Sequence, residues 1–417
     1  MSGKIRIFHT GRRIVHRLSR AVAAQFFFVL LPVVVAASGA LAAQEAIPGI
    51  APAGADSPQT PNFAADVPRG DTTAPVFEAM SEQSAAQPAD PPSRDTAPVF
   101  EEISEQPAAP APPADTALAD SSAYIPLSEF TIAGTQRYTI DNSPPMRRSK
   151  LKPLTTLAVG STYFGILTAL HIYQVNTIWN ENTKFRIVED IDQDFFSDKF
   201  GHFWGTYFNG YCSTEALIGA GFSVEMATIV GGLMGLAYQG YIEVMDGFGK
   251  NWGFSPSDMV ANTAGFLYYM AQYYVPFLQN FTFKATYFPA PWYNEKPRRE
   301  ASMFIDDYSS WTWWLSAKMC NLTPASWKWP RWLDLAAGYA VRDLRLENGV
   351  YLGSQRFVIG LDYNLVELLP DGGNFINWLK QSFNYFKFPA PAIEFGEGAR
   401  FRLFYPFVFS FGANFRF

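Results

Sequence analysis

Four stretches of the chain contain no Lys, Arg, Asp or Glu: 157–179, 200–214, 226–242 and 259–281. The first and last are long enough for a helix to cross a bilayer, and the middle two reach that length once Glu215 and Glu225 are included. All four are richer in Tyr, Asn, Gln, Thr and Gly than ordinary spanning helices. They therefore predict helices of either a membrane bundle or a soluble or interfacial bundle with a wide aromatic face. Their moderate hydropathy suits segments that must pass an inner membrane without being retained. Gly231 and Gly235, with Gly232 and Gly240 nearby, would let a neighbouring helix approach closely, at some cost in helix stability.

Beyond residue 330 the period shortens to two. The run from Leu333 to Leu368 reads as two alternating strands around Glu347-Asn348-Gly349, an Asn-Gly hairpin. Phe375, Trp378, Leu379, Phe383 and Phe386 recur at helical spacing and predict a short amphipathic helix over 374–386. About four strands are readable, too few for a free-standing membrane barrel. The fold expected is α+β: a bundle of three to five helices followed by a small antiparallel sheet packed on it, preceded by a disordered linker. A partial barrel completed by other chains is the alternative. Trp311, Trp313 and Trp314, and the "WKWPRW" run with Lys328 and Arg331, suggest an interfacial aromatic belt, or a carbohydrate platform.

The ends of the chain place it. Residues 1–43 carry a basic start (Lys4, Arg6, Arg12, Arg13, Arg17, Arg20), an apolar run and an Ala40-Leu41-Ala42 exit, the pattern of a secretory signal peptide. Residues 44–122 are a Pro/Ala-rich tract with a duplicated motif, "DTTAPVFEAMSEQ" and "DTAPVFEEISEQ". Such a tract buries too little apolar surface to offset its ordering entropy. The closing "SFGANFRF", with Ser410, Gly412, Phe415 and Phe417, resembles the carboxy-terminal β-signal of bacterial outer-membrane proteins. The chain thus divides into signal peptide (1–43), linker (44–122), helical bundle (150–290) and aromatic-rich segment with β tail (300–417). Its expected location is the cell envelope, periplasm or outer membrane, with a membrane or lipid as partner, and an outer-membrane protein as a further candidate. Net charge is -6 with no basic aromatic patch, so nucleic acid is not expected as a partner. Two cysteines, Cys212 and Cys320, exclude a disulfide scaffold and leave one bridge open.

Candidate chemistry lies inside the bundle. Asp198 and His202 are four apart; Gln239, Glu243 and Asp246 follow at four and three; Asp258 and Asn262 are four apart, with Gly265 three further on. These spacings put each set on one helix face. Ser255 or Ser257, Pro256 and Asp258 mark a helix start, so antiparallel packing would bring Glu243 and Asp246 to Asp258. The segments "DKFGH", "YQGYIEVMDGF" and "WGFSPSDMVANTAG" resemble the YfiM-like family of predicted periplasmic lipoproteins of unknown function and, more distantly, VanZ-like membrane proteins. The matching positions are Asp198, Lys199, His202, Glu243, Asp246, Ser255, Asp258, Asn262 and Gly265. That resemblance implies a site but no reaction, and the chain lacks the lipid-acceptor cysteine of the lipoprotein members.

An imidazole among carboxylates can hold a divalent metal: Mg, Mn or Ca through oxygen, or Zn with His202. It can also act as a general base oriented by a carboxylate. Equally, it can be a buried polar network that fixes helix register. The expected role is structural or lipid-interacting, with an acid–base or metal-assisted hydrolase of an envelope lipid or glycan as the alternative.

Overall fold

A computed structural model describes residues 123–294, 305–348 and 350–407. The signal peptide, the linker with its duplicated motif and the carboxy-terminal signal lie outside the described residues. After a two-strand ribbon (β1 Thr131–Ile132, β2 Thr135–Gln136) come four long helices: α1 Pro153–Val175, α2 Ser197–Gly219, α3 Val224–Phe248 and α4 Pro256–Tyr274. Their starts are written locally. Ser223 accepts a hydrogen bond from the Met226 amide, and Ser255 from the Asp258 amide, each capping an otherwise orphan N–H. Pro153 and Pro256 occupy first turns, where a missing N–H costs nothing.

Helices α2, α3 and α4 pack so closely that side chains are excluded from parts of their contacts. A Cβ on Gly235 would lie 2.7 Å from the Thr206 carbonyl oxygen, and one on Gly265 only 2.3 Å from that of Phe203. Helix α1 is different. It presents Leu154, Leu157, Phe164 and Ile172 outward and buries only Thr155, Val159, Leu170 and Gln174. Among the described residues it alone is long and apolar enough to cross a membrane, by length and composition.

The last apolar stretch, expected to remain helical to residue 281, does not. Helix α4 stops at Tyr274, before Pro276, and the alternating Phe281–Tyr287 becomes strand β3. The sheet therefore begins ahead of the boundary expected at residue 300. Strands β3, β4 (Trp311–Ala317), β5 (Leu333–Glu347), β6 (Val350–Tyr363), β7 (Ala390–Gly396) and β8 (Gly398–Tyr405) form one antiparallel meander in chain order. Short helices α5 (Met319–Leu322), α6 (Leu365–Leu368) and α7 (Asn374–Phe383) decorate it. The Asn-Gly hairpin forms where expected, with Glu347 opposite Val350 and Asn348 left-handed at φ 52°.

Two faces of the sheet have different roles. On one, Trp311, Trp313, Val341 and Leu344 join Trp204, Tyr207, Phe208, Tyr211 and Tyr269 in the main core shared with the helices. Trp311 and Trp313 stack with ring centres 5.1 Å apart. The three tryptophans of β4 are thus interior packing residues, not an exposed belt or sugar platform; β4 is flanked by β3 and β5, and Trp311, Trp313 and Trp314 are buried on its two faces. The other face turns inward and is charged. Lys284 pairs with Asp362 at 2.6 Å, both almost fully buried, and Ser316 donates to the same carboxylate at 2.6 Å. Glu394 lies 3.3 Å from Arg402 and 3.9 Å from Arg356. Arg342 donates to the Ser309 and Trp311 carbonyls, to Thr312 Oγ1 and to the Tyr405 hydroxyl. Cys212 and Cys320 are both free thiols, so the bridge left open by the sequence is not formed.

Candidate functional site

Three helices converge on His202, and their spacing explains why. Helix α2 brings Asp198 and His202 on one face, α3 brings Glu243, and α4 brings Asp258 and Asn262. The imidazole meets oxygen on every side. Its Nδ1 lies 3.2 Å from Asn262 Oδ1 and 3.4 Å from Glu243 Oε1; its Nε2 lies 3.5 Å from Asp198 Oδ1 and 3.7 Å from Asp258 Oδ2. With acceptors at both nitrogens, the doubly protonated imidazolium is the form the site favours. Burial opposes that charge, but Asp198, Asp258 and Glu243 outweigh it and raise the His202 pKa to about 10.

The neighbours divide by environment. Burial would raise Asp198, yet His202, Lys199 and a hydrogen bond from the Tyr308 hydroxyl hold its carboxyl well below the usual range. Glu243 is dominated by burial, which lifts it to about 8 despite His202. Burial and the charge of Asp198 also raise Asp258. Lys199 lies 3.0 Å from Asp198 Oδ2, 2.6 Å from Asp258 Oδ1 and 2.5 Å from Asp190 Oδ1, and these charges keep it protonated against its burial.

Of the residues expected at the site, Asp198, His202, Glu243, Asp258 and Asn262 come together. Asp246 takes another partner: Trp179 Nε1 donates to its Oδ1 at 2.5 Å, and burial raises it to about 7. Sequence spacing missed Asp190, which also accepts from Ser255 Oγ at 2.5 Å; the acidic run Glu189, Asp190, Asp192, Asp194 was its only signal. It missed Tyr308 as well, which lies 110 residues from Asp198 and carries no local signature.

The turn before α2 is strained and anchored. Asp194, Phe195 and Phe196 are consecutive left-handed residues at φ 52°, 54° and 66°, a conformation costly for side chains with a Cβ. The sheet holds them in place: the Tyr339 hydroxyl donates to the Phe195 carbonyl at 2.5 Å, and Trp313 Nε1 to Ser197 Oγ at 2.9 Å.

This cluster closes one end of a cavity of about 430 Å³, within the usual size of small-molecule sites. Asp190, Asp198, His202, Asp246 and Asp258 reach it; Glu243 and Asn262 sit behind the imidazole and do not line it. Its walls are otherwise mainly apolar and aromatic, from α1 (Val159, Ile166, Leu167), α2 (Trp204, Phe208) and α3 (Met234, Ile242).

Residues 190–273 match the model of one family. Its description is "Predicted periplasmic lipoprotein (DUF2279)". The matched segment starts at Asp190 and runs through α4, so it contains all the residues that meet at His202 except Tyr308. The description agrees with the cell-envelope location expected from the ends of the chain. The two cysteines of the chain lie in α2 and α5, and neither falls in the signal-like residues 1–43. No curated protein and no solved structure gives a match.

Proposed function

We propose that this chain is an envelope protein that takes an amphiphile into the cavity. The aliphatic part would lie between α1, α2 and α3, and the polar head against His202, Asp198 and Asp258. The observation that carries this reading is the continuity of one apolar cavity with a buried, charged end. A purely structural network would need no such space beside it. The YfiM-like and VanZ-like resemblance of the same segments, and an association with the outer membrane, belong to this proposal.

A second reading, hydrolysis of an envelope lipid or glycan, is favoured by the spread of proton affinities at one site. An imidazolium beside one carboxyl held low and another raised to about 8 supplies an acid and a base together. In a metal-assisted form, donor atoms of Asp198, His202 and Asp258 lie within 4.8 Å of one another. The Lys199 ammonium already bridges both carboxylates, so a metal would have to displace it.

A lipid carrying a photoactivatable acyl chain tests the main reading. Cross-links from the full chain in detergent are expected on cavity-lining segments of α1 and α3, and Leu167→Trp, which fills the cavity, should remove them. Labelling confined to the outer surface of the sheet, unchanged by that substitution, would refute it. Acceleration of ester cleavage that disappears in His202→Gln would select the hydrolytic reading.

A further inference from the structure

We infer that the outward face of β6, β7 and β8 is built to rest against lipid hydrocarbon. In these strands charged side chains are buried, beside Val358, Ala392 and Tyr405, while large apolar ones are exposed. The row facing inward holds Arg356, Asp362 and Glu394, exposed by 6 %, 1 % and 7 %; the row facing outward holds Phe357, Ile359 and Phe401, exposed by 59 %, 56 % and 69 %. The register makes the outer row continuous: Phe357 faces Phe395, Ile359 faces Ile393, and Ile393 faces Phe401 across neighbouring strands. Because side chains alternate with period two, a one-residue slip would bury the apolar row and free the charges. The chain adopts the opposite register and satisfies its charges internally, through the Lys284–Asp362 pair and the Arg356, Glu394 and Arg402 group. In water that choice forfeits hydrophobic burial and desolvates ions together. Against hydrocarbon both terms change sign, because the outer row is solvated by lipid and the charges are kept from it.

Features at the borders of the patch point to a bilayer as the occupant. At one end of β5 and β6 lie Trp327 and Trp332, both exposed, with Lys328 and Arg331 beside them. Trp332 stacks on Tyr363, the last residue of β6, so this aromatic and basic cluster sits at the patch margin, where anionic headgroups would meet it. At the opposite end, the β5–β6 and β7–β8 hairpins carry Arg345, Glu347, Glu397 and Arg400. The charge is thus placed at the two ends and absent from the outer row between them. Beyond Phe407 the sequence alternates between apolar and polar or small residues. Phe409, Phe411, Ala413, Phe415 and Phe417 alternate with Ser410, Gly412, Asn414 and Arg416.

Single cysteines in the full chain test this, in a Cys212→Ser, Cys320→Ser background reconstituted into vesicles of phosphatidylethanolamine and phosphatidylglycerol. Phe357→Cys, Ile393→Cys and Phe401→Cys should react with a water-soluble maleimide slower than Glu397→Cys by roughly tenfold or more. A spin label at the same three sites should be relaxed by oxygen and not by a water-soluble nickel chelate. Ile359→Cys replaces any variant that fails to fold. Equal reactivity at all four sites overturns the inference. So does protection that persists in lipid-free, detergent-free protein, which would assign the face to another copy or another protein. Because none of these positions lines the cavity, failure here leaves the amphiphile reading standing, and failure of the acyl cross-linking leaves this one.

Discussion

At His202 the sequence was readable because helical spacing is short-range: Asp198 and His202 share a face by arithmetic, as do Asp258 and Asn262. What spacing does not encode is direction between helices, so Asp246 was expected at the imidazole and instead binds Trp179, while Asp190 and Tyr308 arrive from the loop before α2 and from the turn before β4. The proton affinities give a sign. His202 is raised from 6.5 to about 10, so its stabilising contribution is complete below pH 6.5 and is lost as pH rises through 10. Glu243 is raised from 4.5 to about 8, so its ionisation opposes folding across that interval. Melting temperature in detergent should therefore fall steadily from about pH 5 toward pH 10, and Glu243→Gln should flatten the part below pH 8. A melt in Glu243→Gln with the wild-type slope would show that the carboxyl is not responsible. Lys199→Met leaves Asp190, Asp198 and Asp258 without their shared cation and should cost about 3–5 kcal/mol by denaturant unfolding.

Among the elements, the start of α4 was the best encoded, since Ser255 and Pro256 act on their own neighbours. Strand β3 was hidden because it starts on the last residue of an uncharged aromatic run, 259–281, that fits a helix and a buried strand alike, and only Pro276 hinted at the break. The tryptophans of β4 were misplaced for a related reason: sequence shows amphipathic rings but not which neighbours cover them. Glycine spacing in α3 did announce close packing, and Gly265 sets the same limit on α4. Gly265→Ala would drive a methyl into the Phe203 carbonyl, next to His202. A loss of about 1–3 kcal/mol is expected, with the imidazole shifted away from Asn262. Gly240→Ala, whose new methyl would meet only the flexible Met259 side chain at 3.7 Å, should be close to neutral. Equal costs for the two substitutions would contradict this account of the helix contacts.

Across the whole molecule, bundle and sheet were legible as separate classes of pattern, but their dependence on each other was not. Aromatic residues from α2 and α4 share one core with β4 and β5, and Tyr308, Trp313 and Tyr339 hold the turn that starts α2. Helical and aromatic circular dichroism should accordingly report one coincident unfolding transition; two separated transitions would mean that the sheet is only an attachment.

The thin fastening of α1 has its own consequence. This wall of the cavity is tied back by Tyr163 to the Met234 carbonyl, by Lys152 to that of Gly219 and by His171 to the Tyr241 hydroxyl, with few side chains buried between. Its outer surface is as greasy as its inner one. Displacing it sideways breaks fewer contacts than parting α2, α3 and α4, whose backbones touch. On the amphiphile reading, a guest would enter laterally past this helix, from the same milieu that wets its back.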